Sequence, residues 1–146
     1  MNRLSPRAVA TLAAFALLLA PIVATTSAAQ QRKLISPQRG EANLEITKPD
    51  TKVIKGEVVT IIMVKNASPS PIAGLKVEEN WYDKGGNPIG GDIFRHLKPL
   101  MPEEILKVEL RSPRRPGMDS NQYQFSHANG TIKTKVVPKL VAPPTS

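Results

Sequence analysis

From residue 41 onward, apolar and polar positions alternate along most of the chain, and a period of two predicts β-strands rather than helices. Residues 42–48 place Leu44 and Ile46 on one face and Asn43, Glu45 and Thr47 on the other, and Pro49 and Asp50 end the run. Residues 57–66 are apolar on both faces through Val58, Val59, Ile61, Ile62, Met63 and Val64, the pattern of a central strand. After the turn residues Ser68, Pro69, Ser70 and Pro71, a core face carries Leu75, Val77 and Trp81. Glu79 shares that parity. An unpaired carboxylate is costly to bury, so Glu79 is expected at the rim, at a bulge, beside a base, or at a binding cleft.

Asp83, Lys84, Gly85, Gly86 and Asn87 read as a hairpin loop, since adjacent glycines accept the positive φ of a tight reversal. A short strand over residues 89–95 follows, then a proline-marked crossing over 97–104, then an alternating strand over 105–111 with Leu106, Val108 and Leu110 inward. Residues 122–128 and 131–137 bracket Asn129-Gly130, the dipeptide typical of a two-residue type I′ turn. No stretch holds a helical period. The expected fold is all-β, an antiparallel immunoglobulin-like β-sandwich of about seven strands, with a small β-barrel as the alternative.

The first 29 residues break this pattern. Arg3 and Arg7 precede an apolar run over residues 8–20, and the small side chains from Thr25 to Ala29 suit cleavage before Gln30. Interrupted by Pro21, the run falls short of the roughly 20 apolar residues of a membrane span. The expected organisation is a signal peptide over 1–29, a flexible leader over 30–40, one domain over 41–140 and a flexible tail over 141–146. The mature domain is then secreted or periplasmic, with no transmembrane span after cleavage. The chain has no cysteine. Disulfides, thiol catalysis, thiolate zinc sites and an N-terminal lipid-modified cysteine are therefore excluded.

Lysine and arginine number 20 against 12 acidic residues, a formal net charge of +8. Such an excess favours anionic partners. The tightest basic group is Arg111, Arg114 and Arg115, around Pro113 and Pro116. Aromatics make up only 4% of the chain, which speaks against nucleic acid, whose single strands are usually held on aromatic platforms. A second candidate surface is the stripe Val59, Ile61 and Met63, apolar on the face opposite Val58, Ile62 and Val64.

Candidate chemistry is thin. His96 and His127 each fall near a strand end, where a solvated position is expected, and neither belongs to a metal-binding motif. Glu78 and Glu79 are adjacent on a strand and so point to opposite faces, which separates them as cooperating acids. Glu103 and Glu104 sit in a turn. No Gly-x-Ser-x-Gly elbow is present. No catalytic residue, cofactor or metal is assigned.

The run Asn80, Trp81, Tyr82, Asp83, Lys84, Gly85, Gly86, Asn87, Pro88, Ile89, Gly90 resembles the bacterial FxLYD-type family of extracytoplasmic immunoglobulin-like domains, in which an aromatic strand ends in Tyr-Asp before a glycine turn. Val64, Lys65, Asn66, Ala67 and Ser68 are similar to that family's Val-x-Asn strand end. Residues 97–103 are similar to its Leu-x-Pro-Gly-Glu turn, departing at Met101 to Glu103, where glycine is missing. The resemblance implies an envelope-attached, secreted or periplasmic β-sandwich, commonly without catalytic activity, and it carries over no functional residues. Asp83 and Asn66 are expected to hydrogen-bond the backbone of their own turns.

Together these features predict a non-catalytic interaction module whose partner is another envelope or extracellular protein. Binding of anionic envelope polymer or lipid headgroups through the basic surface is the alternative. A small hydrolase with an unrecognised site is the third.

Overall fold

The computed structural model describes residues 35–141. The expected signal peptide, residues 30–34 of the leader and all but the first residue of the tail lie outside the described residues. Within them the chain is all-β, with eight strands: β1 (Ala42–Thr47), β2 (Asp50–Ile54), β3 (Glu57–Asn66), β4 (Lys76–Tyr82), β5 (Pro88–Arg95), β6 (Ile105–Pro113), β7 (Ser120–His127) and β8 (Gly130–Val137).

Two features depart from the expectation of about seven antiparallel strands. The first is β2, a strand in what reads as a turn: it forms a hairpin with β3 through Lys55 and Gly56, which both adopt positive φ. The ladders of β1 and β2 on β3 run in the same sense with a one-residue shift between them, so residues 48–49 act as a bulge in one long stretch of chain along β3. The second is that β1 pairs with β8 in parallel, from Ala42↔Ile132 to Thr47↔Val137. The result is one curled mixed sheet in the order β2-β3-β1-β8-β7-β4-β5, with β6 on the other side of β3.

Curling brings the apolar parity of each strand into one core. Leu44, Ile62, Val64, Leu75, Val77, Val108 and Leu110 are buried there, with Phe94, Tyr123, Phe125 and Ile132 packed around them. Burying such side chains is the main favourable contribution to a fold without disulfides. The 97–104 crossing closes one end: Leu100 and Ile72 are both fully buried and exchange two backbone hydrogen bonds of 2.9 Å.

The sheet ends at β5 and β6, which lie side by side without a backbone ladder, and side chains fill the seam. Ser112 Oγ accepts from the Gly91 amide at 3.1 Å, and Asp92 Oδ2 accepts from the Arg111 amide at 2.7 Å. These bonds satisfy groups that a sheet edge otherwise leaves open. Glycine is required at 91, because a Cβ there would run into the Glu79 carbonyl oxygen of the neighbouring strand.

The final hairpin turns one residue earlier than expected. Gly130 pairs with His127, so Ala128 and Asn129 form the loop. The reason is a tertiary contact. Residue 130 lies against the backbone of Gly40, where no Cβ fits, and the Gly40 amide donates to the Asn129 carbonyl at 3.0 Å. His127, expected in solvent, is instead 7% exposed, with Nε2 2.8 Å from the Gly40 carbonyl oxygen.

Candidate functional site

Glu79 is the most unusual residue in the fold. Its parity on β4 is the core parity, and the structure keeps it there: it is 1% exposed, neither at the rim nor shifted out by a bulge, and no base faces it. Neutral donors hold it. Glu79 Oε1 accepts from Thr60 Oγ1 at 2.7 Å, from Asn121 Nδ2 at 3.1 Å and from the Tyr123 hydroxyl at 3.1 Å. Asn121 Nδ2 also donates to the Tyr123 oxygen at 2.7 Å, and the Thr60 and Thr51 hydroxyls lie 3.0 Å apart. The network thus ties β2, β3, β4 and β7 together through one carboxylate, and hydrogen bonds of this kind are strengthened by the charge and by one another.

Burial and the neighbouring Glu79 carboxylate push the Tyr123 hydroxyl above its ordinary pKa, against the opposing hydrogen bonds of Thr51 and Thr60. The other carboxylate oxygen of Glu79, Oε2, is buried without a hydrogen-bond partner, as is Trp81 Nε1. The cluster escaped the sequence reading because its members come from four strands. One signal was available: Thr60, Glu79 and Tyr123 all occupy inward parity, and three polar residues on inward positions are expected to find one another.

The apolar stripe on β3 is covered. Val59 is 4% exposed, and Ile61 and Met63 are half-buried. Val59 stands between Lys52 of β2 and Arg111 of β6 in the ladders, with Ile61 beside Asp50 and Glu109 and Met63 beside Lys107. Long charged side chains cover apolar surface with their stems while their heads stay in water.

The three arginines separate into two kinds. Arg111, on β6, is engaged: Nε donates to Glu109 Oε1 at 2.7 Å and Nη1 to Glu57 Oε2 at 3.2 Å. The paired acids raise its pKa, and Arg111 with Lys107 lowers that of Glu109. Arg114 and Arg115 are exposed and make no ion pair among the described residues. Their loop is nevertheless anchored, by Arg114 N to the Gly56 carbonyl at 2.9 Å and Asp119 N to the Tyr82 carbonyl at 2.9 Å.

The two turn residues behave as expected. Asp83 Oδ1 accepts from the Asn87 amide at 2.9 Å, and that bond with others in the turn lowers the Asp83 pKa. Asn66 accepts from the Ser68 amide at 2.8 Å and donates to the Ser70 and Leu100 carbonyls at 2.9 Å. Both are structural. Among the described residues no three His, Asp or Glu side chains gather as a metal site would require.

No family model matches the chain, and no curated protein matches it. A solved structure of IrmA from Escherichia coli superposes on 72% of this chain and 99% of its own length, with a TM-score of 0.45 and 8% sequence identity. That likeness carries no functional argument.

Proposed function

We propose that the chain is a non-catalytic, exported immunoglobulin-like module, secreted or periplasmic, that works by binding another envelope or extracellular protein. The supporting observation is the presentation of Arg114 and Arg115: two exposed guanidinium groups without ion pairs among the described residues, on a loop fixed to the β2–β3 turn and to β4 by backbone hydrogen bonds. A loop whose backbone is already fixed loses little main-chain freedom on binding, and the planar fork of an arginine takes a carboxylate in two hydrogen bonds. The partner surface is accordingly acidic.

Binding to anionic polymer or lipid headgroups is the second reading. Lys133 and Lys135 favour it, being exposed two positions apart and hence on one face of β8.

Affinity capture from envelope extracts at low and high salt, with the native chain and with Arg114→Glu/Arg115→Glu, tests both. The reading expects one protein captured by the native chain and lost with the charge-reversed variant. Equal capture of that protein by both would refute the role of the loop. Capture of polymer or lipid, abolished by salt and by Lys133→Glu/Lys135→Glu, would favour the second reading. Export is tested by the intact mass of the mature chain, expected to begin at Gln30.

A further inference from the structure

Parallel pairing of β8 with β1 sets two outward rows side by side, with Asn43 beside Lys133 and Glu45 beside Lys135. Leu44 and Thr134, which lie between them, have the inward parity, so backbone forms the floor between four polar side chains. Ala67 closes one side, its amide donating to the Asn43 carbonyl at 2.9 Å. The depression these residues line has a volume of about 370 Å³, within the roughly 300–1,000 Å³ of small-ligand sites.

Its charge is unbalanced. Lys135 lies opposite Glu45 in the ladder, yet Glu45 turns to Lys65, whose Nζ is 2.8 Å from Oε2. The Lys65 hydrogen bond, and at longer range the charge of Lys135, lower the Glu45 pKa. Lys133 stands opposite the neutral Asn43. Neither Lys133 nor Lys135 makes an ion pair among the described residues. Two ammonium groups whose Cα atoms are about 7 Å apart on one strand face repel each other, and an anion seated between them removes that repulsion.

Asn43 supplies the second half of the chemistry. Its main-chain amide is tied to Ser68 Oγ at 2.7 Å, while its exposed side-chain amide has no partner among the described residues. A carboxamide offers a donor and an acceptor at one place, the combination that a hydroxyl group satisfies. No aromatic ring lines the depression, so a nucleic-acid base has no platform there, and no large apolar side chain projects from it to enter a bilayer.

We infer that this depression binds a phosphate ester carried on a polyol: the phosphate sits between Lys133 and Lys135, and hydroxyl groups of the polyol bond the Asn43 side chain. A lysine ammonium is a compact charge with three donors, which suits a rounded phosphate, whereas the flat carboxylate is better gripped by the arginine fork. Phospholipid headgroups and polyol-phosphate polymers share this unit. It deepens the second reading above, on which it rests, and leaves the arginine loop untouched.

Titration of the isotope-labelled exported chain with glycerol phosphate, followed by amide chemical shifts, tests it beside two variants, Lys133→Gln/Lys135→Gln and the uncharged block Ala67→Leu. All three positions are exposed. Saturable shifts at the Asn43, Ala67, Lys133 and Lys135 amides are expected, with a dissociation constant that rises about tenfold or more in each variant while Trp81 fluorescence reports an unchanged fold. Inorganic phosphate is expected to bind more weakly and glycerol not at all. Absence of saturable shifts overturns the proposal. So does equal binding of inorganic phosphate, which marks a bare anion site, or unchanged binding in Ala67→Leu, which marks surface charge without a seat. Vesicles containing phosphatidylglycerol separate the sources: binding abolished by Ala67→Leu assigns the unit to a lipid headgroup, and no vesicle binding beside full binding of the free ester assigns it to a polymer. Vesicle binding lost in Lys133→Glu/Lys135→Glu but kept in Ala67→Leu overturns the site while leaving the second reading in place.

Discussion

Thr60→Val is the sharpest probe of the buried carboxylate. Valine matches threonine in shape and favours strands, so the substitution removes little but the hydroxyl. That hydroxyl is fully buried and makes the shortest bond to Glu79, at 2.7 Å. A hydrogen bond to a charged group contributes about 1.5–3 kcal/mol, and here its loss leaves Glu79 Oε1 with two donors instead of three. Thr51 simultaneously loses its partner, but Thr51 is exposed and water replaces the bond. The net expectation is a destabilisation of about 2 kcal/mol, which for a domain of this size lowers Tm by roughly 10 °C. Trp81 is the only tryptophan, lies two residues from Glu79 on the same face of β4, and reports urea unfolding directly. The midpoint is expected to fall with an unchanged m-value. In a double-mutant cycle with Glu79→Gln, a coupling near 1 kcal/mol is expected, because a neutral amide oxygen accepts more weakly than a carboxylate. A Thr60→Val protein as stable as the native one, with zero coupling, would refute the view that Thr60 holds this charge in the core.

Three further outcomes are expected. Gly130→Ala is expected to destabilise the domain well beyond Gly86→Ala in thermal unfolding, because Gly86 has φ +80 with open space around it and costs about 1–2 kcal/mol, whereas residue 130 must also push away the Gly40 backbone. Absorbance titration of tyrosinate, with Tyr123→Phe to assign the step, is expected to place Tyr123 above the ordinary 10.0. A raised folded-state pKa means that the unfolded chain releases this proton first, so the associated stability is present below pH 10 and is lost as pH rises through the folded value. At the acid end, Glu45, held low by its hydrogen bond to Lys65, together with Asp83 and Glu109, has a folded pKa below the ordinary one; the stability they contribute is present above the ordinary carboxylate range and is expected to decline in unfolding curves taken as pH falls below it.

Strand character was legible in this chain wherever alternation was strong. Leu44 and Ile46, Val58 to Val64, Val77, and Val108 and Leu110 all lie in strands as their spacing predicts, because a half-buried strand must alternate. Strand β2 was missed since all five of its residues are exposed, leaving no burial pattern to read. The Asn129-Gly130 turn was placed one residue late because local turn preference gave way to a contact with Gly40, remote in sequence. At the candidate sites, the charge of Arg111, Arg114 and Arg115 was visible, but their division into one paired and two free arginines depended on Glu57 and Glu109 in neighbouring strands.

By itself, then, the sequence determined what local chemistry controls: an all-β chain, its inward and outward faces, the turns at Asp83 and Asn66, and a core without disulfides. Tertiary structure alone decided partnership. Whether β8 follows β7 or crosses to run parallel with β1 depends on residues about 90 positions apart, a distance over which alternation carries no information. The same crossing sets Lys133 and Lys135 beside Asn43 and Glu45, and the curl of the sheet gathers four strands around Glu79, turning a carboxylate that looked misplaced into a tie across the core.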